Sequence, residues 1–262
     1  MKSVVCVKVV PKSEEVRVDP ETMSLIRDGV RSEINPPDMN ALEMALNIKD
    51  RYGGQVNILS MGPPSFLPFL QAGVAMGADH IYLLSDLVLA GADTLATTYT
   101  LSKGIRRLGD IDLIFCGEES SDGATGQVPS GLAEWLQIRG LFLTTEMELD
   151  RNRLTARGRR EVANGYQILE VPLPCVVSVK TACNEPRFMD YARKEWAFER
   201  ERVTIWNAHD IDADPEFIGV EGSPTVVSGL AQAPTRERKR MFLEGSPLEI
   251  AGQIAEILQK NS

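Results

Sequence analysis

Runs of apolar, mostly β-branched residues recur through the first half of the chain, and stretches with helical spacing separate them. Residues 4–10 (VVCVKVV) run unbroken to Pro11, which suits a strand buried on both faces of a parallel sheet. Residues 14–19 alternate polar and apolar, and Leu25-Ile26 follows a proline-containing turn, so the two read as a small hairpin. Asn35-Pro36-Pro37-Asp38 is a turn, with Asp38 as N-cap of a helix over residues 39–52. Leu42, Ala45, Leu46 and Ile48 line one side of that helix, and Gly53-Gly54 stops it. Further strands are read at 55–60, 79–85 and 112–117, and further helices at 65–75, 93–108 and 125–136. Strand and helix therefore alternate at short spacing. That predicts an α/β fold: a mostly parallel, Rossmann-like doubly wound sheet with helices on both faces.

The pattern changes after residue 140. Residues 141–149, 153–158 and 161–170 read as successive antiparallel strands, an antiparallel extension of the sheet, and residues 172–180 return to a buried strand. Past Asn184 the chain is polar and irregular until an amphipathic helix over 247–259. We read residues 1–200 as the α/β domain and 201–262 as a C-terminal arm. The arm has too little apolar residue to build a core and is expected to pack on a second subunit.

Composition narrows the function. The chain has 262 residues, with 28 Lys and Arg against 37 Asp and Glu, a formal charge of −9. That balance argues against a nucleic-acid binder held by phosphate contacts and against docking on anionic lipid. There are two histidines, His80 and His209, which leaves little for a histidine metal site or a Ser-His-Asp triad. The four cysteines, Cys6, Cys116, Cys175 and Cys183, include no C-x-x-C pair, and three lie in apolar runs as core thiols would. The first residues enter a strand at once, without a signal peptide, and no apolar run approaches the ~20 residues of a membrane span. The expected location is the cytoplasm of a prokaryote, or an organelle for a processed chain, without direct membrane insertion.

In an open parallel sheet, ligands sit where strands end at their carboxyl edge. Four such edges are legible: Cys6-Val7-Lys8-Val9, Asn35-Pro36, Ser60-Met61-Gly62-Pro63, and residues 116–128 (CGEESSDGATGQV). The last is the most informative. It joins three glycines and several hydroxyls to a helix N-terminus, where free amides and the helix dipole favour a phosphate; a structural turn and cap would use the same residues. Its spacing is neither G-x-G-x-x-G nor a P-loop. Asp93-Thr94 also precedes a helix, either as a plain cap or as part of the same cleft. Glu118, Glu119 and Asp122 crowd one loop instead of facing across a cleft, which argues against paired catalytic carboxylates.

Several of these segments, in this order, carry a resemblance. They are residues 5–11 (VCVKVVP), 34–38 (INPPD), 60–63 (SMGP), 75–79 (AMGAD) and 122–128 (DGATGQV), then 161–170 (EVANGYQILE) with 172–179 (PLPCVVSV), and 184–188 (NEPRF). Together they resemble the β subunits of electron transfer flavoproteins over residues 1–205. The resemblance implies a heterodimer with an α subunit that holds a redox FAD. It also implies an adenine nucleotide in the α/β domain of this subunit: AMP in many members, a second FAD near which NADH is oxidised in electron-bifurcating ones. By position, Cys6 and Val7 meet the adenine edge through their backbone, and Asn35 and Met61 line the base and ribose pocket. Gly117 and the loop of Asp122, Gly123, Ala124, Thr125, Gly126, Gln127 and Val128 cradle the phosphates, with Asp93 and Thr94 beside them. The D-G-x-T-x-Q-V form of the loop looks more like the bifurcating members, which favours the second FAD.

Two stretches depart from the family pattern. A proline stands in residues 64–70 (PSFLPFL) where charged residues are usual. The partner-recognition loop lacks its Lys-rich run and offers Tyr191, Trp196 and Phe198 instead, either as an aromatic docking patch for a flavin dehydrogenase such as an acyl-CoA dehydrogenase or as contacts within this subunit. No catalytic side chain and no metal ligand is expected, because flavins do the chemistry. The alternative is a self-sufficient nucleotide-binding protein or hydrolase on the same kind of sheet, against which the long arm argues.

Overall fold

The computed structural model describes residues 1–12, 17–18, 25–26, 31–225 and 242–260. The strands in chain order are β1 (Lys2–Cys6), β2 (Val9–Pro11), β3 (Arg17–Val18), β4 (Leu25–Ile26), β5 (Ser32–Ile34), β6 (Gln55–Met61), β7 (His80–Leu84), β8 (Leu113–Gly117), β9 (Arg139–Asp150), β10 (Thr155–Val162), β11 (Gly165–Pro172), β12 (Cys175–Val179) and β13 (Val203–Trp206). The helices are α1 (Pro36–Tyr52), α2 (Leu67–Met76), α3 (Thr94–Leu108), α4 (Val128–Leu136), α5 (Tyr191–Ala197) and α6 (Pro247–Lys260).

Among the described residues, nine strands form one sheet in the order β11-β10-β9-β12-β8-β1-β6-β7-β13. From β9 to β13 every neighbour is parallel, and β10 and β11 add antiparallel strands at one edge. Both the doubly wound sheet and its antiparallel extension are as the residue pattern predicts. The core follows from the two-residue period of a strand. Val5, Ile58, Phe115 and Val177 pack on one face with α1 and α2. Their neighbours Val4, Leu59, Ile114 and Val176 pack on the other with residues of α3 and α4. Buried on both faces, these strands read as continuous apolar runs.

Several boundaries differ from the sequence reading. Residues 4–10 are two strands, because the chain leaves the sheet at Lys8, whose N–H goes to the Asp38 carboxylate and whose carbonyl accepts from Asn35. Helix α1 starts at Pro36, so Asp38 lies inside its first turn and is not the N-cap. Helix α4 starts at Val128, three residues later than expected. Strand β10 continues through Arg159 and Arg160 to Val162, and the hairpin turns after it. Most of the hairpin read over residues 14–26 lies outside the described residues; Arg17–Val18 and Leu25–Ile26 pair antiparallel. The sheet also runs past residue 200, where we placed the start of the arm. Val203–Trp206 pairs with β7, and Ile211 and Ile218 are buried beneath it in the core.

The chain divides into two compact units, Met1–Gly229 and Leu230–Ser262. In the second, Ser246 and Glu249 form a capping box: the Glu249 carboxylate accepts from the Ser246 amide and hydroxyl, both at 2.7 Å. Leu248, Ile250, Ile254 and Leu258 give α6 its amphipathic spacing. No described helix is long and apolar enough to cross a membrane.

Candidate functional site

Strand order reverses around β1: the chain proceeds from β1 to β6 and β7 on one side, then returns to β8 on the other. The carboxyl ends of β1 and β8 are therefore the switch point of the sheet, where a crevice opens. Residues 118–127 leave β8 at that crevice.

Two side chains, Asn35 and Lys8, tie this loop to the opposing segments, and Asp38 joins the strand ends beneath it. Asn35 donates from Nδ2 to the Glu119 carbonyl (2.9 Å) and accepts from the Ser121 amide (3.0 Å). Its side chain is thus engaged across the crevice and makes no cap bond to α1. Asp38 accepts the Lys8 amide at 2.8 Å and the Gly117 amide at 3.1 Å, joining the end of β1 to the end of β8. Lys8 Nζ reaches Asp122 Oδ1 at 2.6 Å and Ser120 Oγ at 3.4 Å.

Burial pushes the Asp38 carboxyl up to about 7, against the Lys8 amide, Asn35 and the Gly117 amide, which hold it down. Burial raises Asp122 as well, but there the Lys8 hydrogen bond and charge win, and the carboxyl lies below its usual range. Glu118 is lowered too: against burial, the Lys180 ammonium at 2.7 Å and Thr181 favour its charged form.

The loop turns back on itself through the Ala124 amide, which donates to the Ser120 carbonyl at 2.7 Å. Ala124 (φ 47°) and Gly126 (φ 63°) are both left-handed. Around Gly126 there is room: a β-carbon would lie no nearer to its surroundings than 3.5 Å, from the Glu118 carbonyl. Among the described residues, no partner takes the amides of Gly123, Thr125, Gly126 or Gln127. These exposed donors stand just ahead of the α4 N-terminus, as an anion cradle requires. Behind the loop a half-open cleft of about 400 Å³ lies between Glu118, Glu119, Gly126, Ser130, Phe142 and Leu143. The cradle fits a nucleotide phosphate.

The structure brings most of the expected residues together. Cys6 ends β1 and Val7 follows it, Gly117 ends β8, Asn35 faces the loop, and Thr94 Oγ1 lies 3.3 Å from Thr125 Oγ1. Met61 ends β6, one strand further along the sheet. The Ser60 hydroxyl beside it is buried, and among the described residues it has no partner. Asp93 is different. Its carboxylate caps α3 through the Ala96 amide (3.0 Å) and takes Thr225 Oγ1 at 2.6 Å, so both of its oxygens have partners within this chain. Two residues that the sequence reading did not assign to the cofactor site, Lys8 and Asp38, hold it together. Lys8 was hidden in an apolar run and Asp38 looked like a cap. Cys6, Cys116 and Cys175 are core thiols: the Cys6 thiol and burial push Cys116 well up, and burial pushes Cys175 up to about 12.

The aromatic residues after β12 separate into two kinds. Trp196 packs on the core, with the Arg193 and Arg202 guanidinium carbons 4.8 and 3.9 Å from its ring centroid. It is a contact within this chain. Tyr191 is 88% exposed and Phe198 is 52% exposed, one on α5 and one just past it. The segment leading to α5 is held by Arg187, which donates to both Glu43 oxygens from its guanidinium (2.9 and 3.1 Å) and to Oε2 from its amide (2.9 Å). Glu43 is buried. Arg187→Met is therefore expected to cost about 3 kcal/mol, because it strands a buried charge. Urea unfolding measures this, and a change under about 1 kcal/mol would show the pair to be no more than a surface contact.

An electron transfer flavoprotein domain model matches residues 22–209. The chain belongs to the electron transfer flavoprotein family. Its relatives place it among the β subunits. It is 43% identical to the electron transfer flavoprotein subunit beta of Clostridium acetobutylicum, over 91% of this chain and 90% of that protein. It is 38% identical to the caffeyl-CoA reductase-Etf complex subunit CarD of Acetobacterium woodii, over 99% and 98%. It is 39% identical to protein FixA of Azotobacter vinelandii, over 93% and 88%. The work of an electron transfer flavoprotein is electron transport in association with a flavin.

Proposed function

We propose that this chain is the nucleotide-carrying β subunit of a heterodimeric electron transfer flavoprotein. Its α subunit carries the redox FAD, and the crevice at β1 and β8 holds an adenine nucleotide. The observation that carries this reading is the loop of residues 118–127, where the amides of Gly123, Thr125, Gly126 and Gln127, ahead of α4, have no partner among the described residues. Gly123, Thr125, Gly126 and Gln127 would hold the phosphates, and Cys6, Val7, Asn35 and Met61 would border the base and ribose. The flavin supplies the electron chemistry, and this chain's residues bind, orient and shield it.

The nucleotide is the AMP half of a second FAD, and NADH is the electron donor. The resemblance of the loop to bifurcating members supports this, as does the near full-length match to a subunit of a caffeyl-CoA reductase-Etf complex. The cleft beyond Gly126 leaves room for a ligand to continue past its phosphates. The C-terminal arm packs on the α subunit through its helix α6, and exposed Tyr191 and Phe198 dock a dehydrogenase or other redox partner.

The test is to purify the heterodimer and count its cofactors, then add NADH under anaerobic conditions. Two FAD per heterodimer and bleaching of the flavin spectrum are expected. One FAD with one AMP, and no bleaching, would make the protein a simple carrier fed by a dehydrogenase.

A further inference from the structure

Lys8 is fixed at its backbone and adjustable at its tip. Its amide is taken by Asp38 and its carbonyl by the Asn35 amide, both at 2.8 Å. Its side chain is about half exposed (47%) and ends between Asp122 and Ser120. Among the described residues, no other lysine or arginine hydrogen-bonds to residues 119–127. The loop thus contains a conflict. Its open amides attract an anion, while the Asp122 carboxylate on the same loop repels one. The Lys8 ammonium already neutralises that carboxylate, and it is also the cation a phosphate would need.

We propose that Lys8 is the phosphate-binding cation of this crevice and that Asp122 holds its place until the ligand's phosphate takes the ammonium over. This rests on the reading that an adenine nucleotide binds here. Exchange is easy because a partly exposed ion pair is weakly held. The phosphate of AMP, or the diphosphate of an FAD taken as a whole, outbids one carboxylate because it brings more charge and more acceptor oxygens. The fixed backbone keeps the tip within reach of both partners. Selection then falls on the phosphate and not on the base: AMP is favoured over adenosine through Lys8.

The experiment is equilibrium dialysis of the heterodimer, freed of its β-subunit nucleotide by a chaotropic salt, against labelled AMP and labelled adenosine. Lys8→Met is expected to weaken AMP about 10- to 100-fold and leave adenosine unchanged, as the loss of a charged hydrogen bond does. Lys8→Arg restores most of the AMP affinity. Asp122→Asn tightens AMP about 3- to 10-fold by removing the competitor. That gain disappears in the double variant Lys8→Met/Asp122→Asn, because the two residues act through one cation. The proposal is overturned if Lys8→Met weakens AMP and adenosine alike, if it changes neither, or if the Asp122→Asn gain survives without Lys8. Should Lys8→Met fail to fold, Asp122→Asn alone decides: tighter AMP with unchanged adenosine supports the exchange, and anything else refutes it. If the unsubstituted heterodimer binds neither AMP nor adenosine, it is the nucleotide reading itself that fails.

Discussion

Gly117→Ala is expected to destabilise the protein by about 3 kcal/mol and to open the crevice. The backbone at Gly117 is ordinary strand, so the demand for glycine is spatial. A β-carbon there would lie 2.5 Å from Asp38 Oδ1, 2.7 Å from the Pro37 carbonyl carbon and 2.8 Å from Pro37 Cβ. Two of these atoms belong to Pro37, in the first turn of α1, which cannot rotate aside. To admit one methyl, either the first turn of α1 or the end of β8 must move. Each movement breaks the 3.1 Å bond from the Gly117 amide to Asp38. Urea unfolding followed by circular dichroism gives the cost. A loss below about 1 kcal/mol would mean that α1 and β8 are not held in register by Asp38.

The second large effect is a pH dependence that belongs to Asp38. Its carboxyl is raised from 3.8 to about 7 in the folded protein, by burial first. Below the unfolded value, both states are protonated and the contribution is full. As pH rises from about 4 to about 7, the unfolded chain releases its proton while the folded one keeps it, so stability falls by about 4 kcal/mol. Above the folded value both are ionised and the slope ends. The carboxyls of Asp93, Glu118 and Asp122 are lowered, so their contributions are lost as pH falls below the ordinary carboxylate range. The two trends occupy different windows. In Asp38→Asn the descent between pH 4 and 7 is expected to vanish, while the loss at low pH remains. Urea midpoints of both proteins across pH 3–9 show this, and parallel curves would exclude Asp38 as the group responsible.

Much of the fold is legible along the chain because its strands are buried on both faces. Val4-Val5, Ile58-Leu59, Ile114-Phe115 and Val176-Val177 each supply one residue to either face, which leaves a continuous apolar signal. Strand β13 gives no such signal. It is four residues long, follows a run of alternating Glu and Arg, and is the edge strand of the sheet. Helix α5 is seven residues, too short for a helical period to emerge, and it is fixed by tertiary contacts: the Asp190 amide donates to the Ala75 carbonyl at 3.0 Å, and Arg193 to the Ala78 carbonyl at 3.1 Å.

The Gly-rich loop was visible as glycines and hydroxyls before a helix, but its anchors were not. An acid at the start of a helix reads as a cap, and only the folded chain brings the Lys8 and Gly117 amides to Asp38, 30 and 79 residues away. Lys8 itself sits among valines and carries no local mark of its partner, 114 residues on. Asp93 shows the reverse. Its local reading as a cap is sufficient, and its remaining oxygen is taken by Thr225.

The central claim is that the loop of residues 118–127 holds an adenine nucleotide. The most direct measurement is the nucleotide extracted from the purified heterodimer carrying Gly126→Val. Gly126 is left-handed (φ 63°) in open space, so valine strains the loop by about 1–2 kcal/mol and puts its branches where a phosphate would approach the amides, while the core is untouched. The account predicts a folded heterodimer that keeps the FAD of its α subunit and loses most of one adenine nucleotide per heterodimer. Full nucleotide occupancy in the folded variant would contradict it.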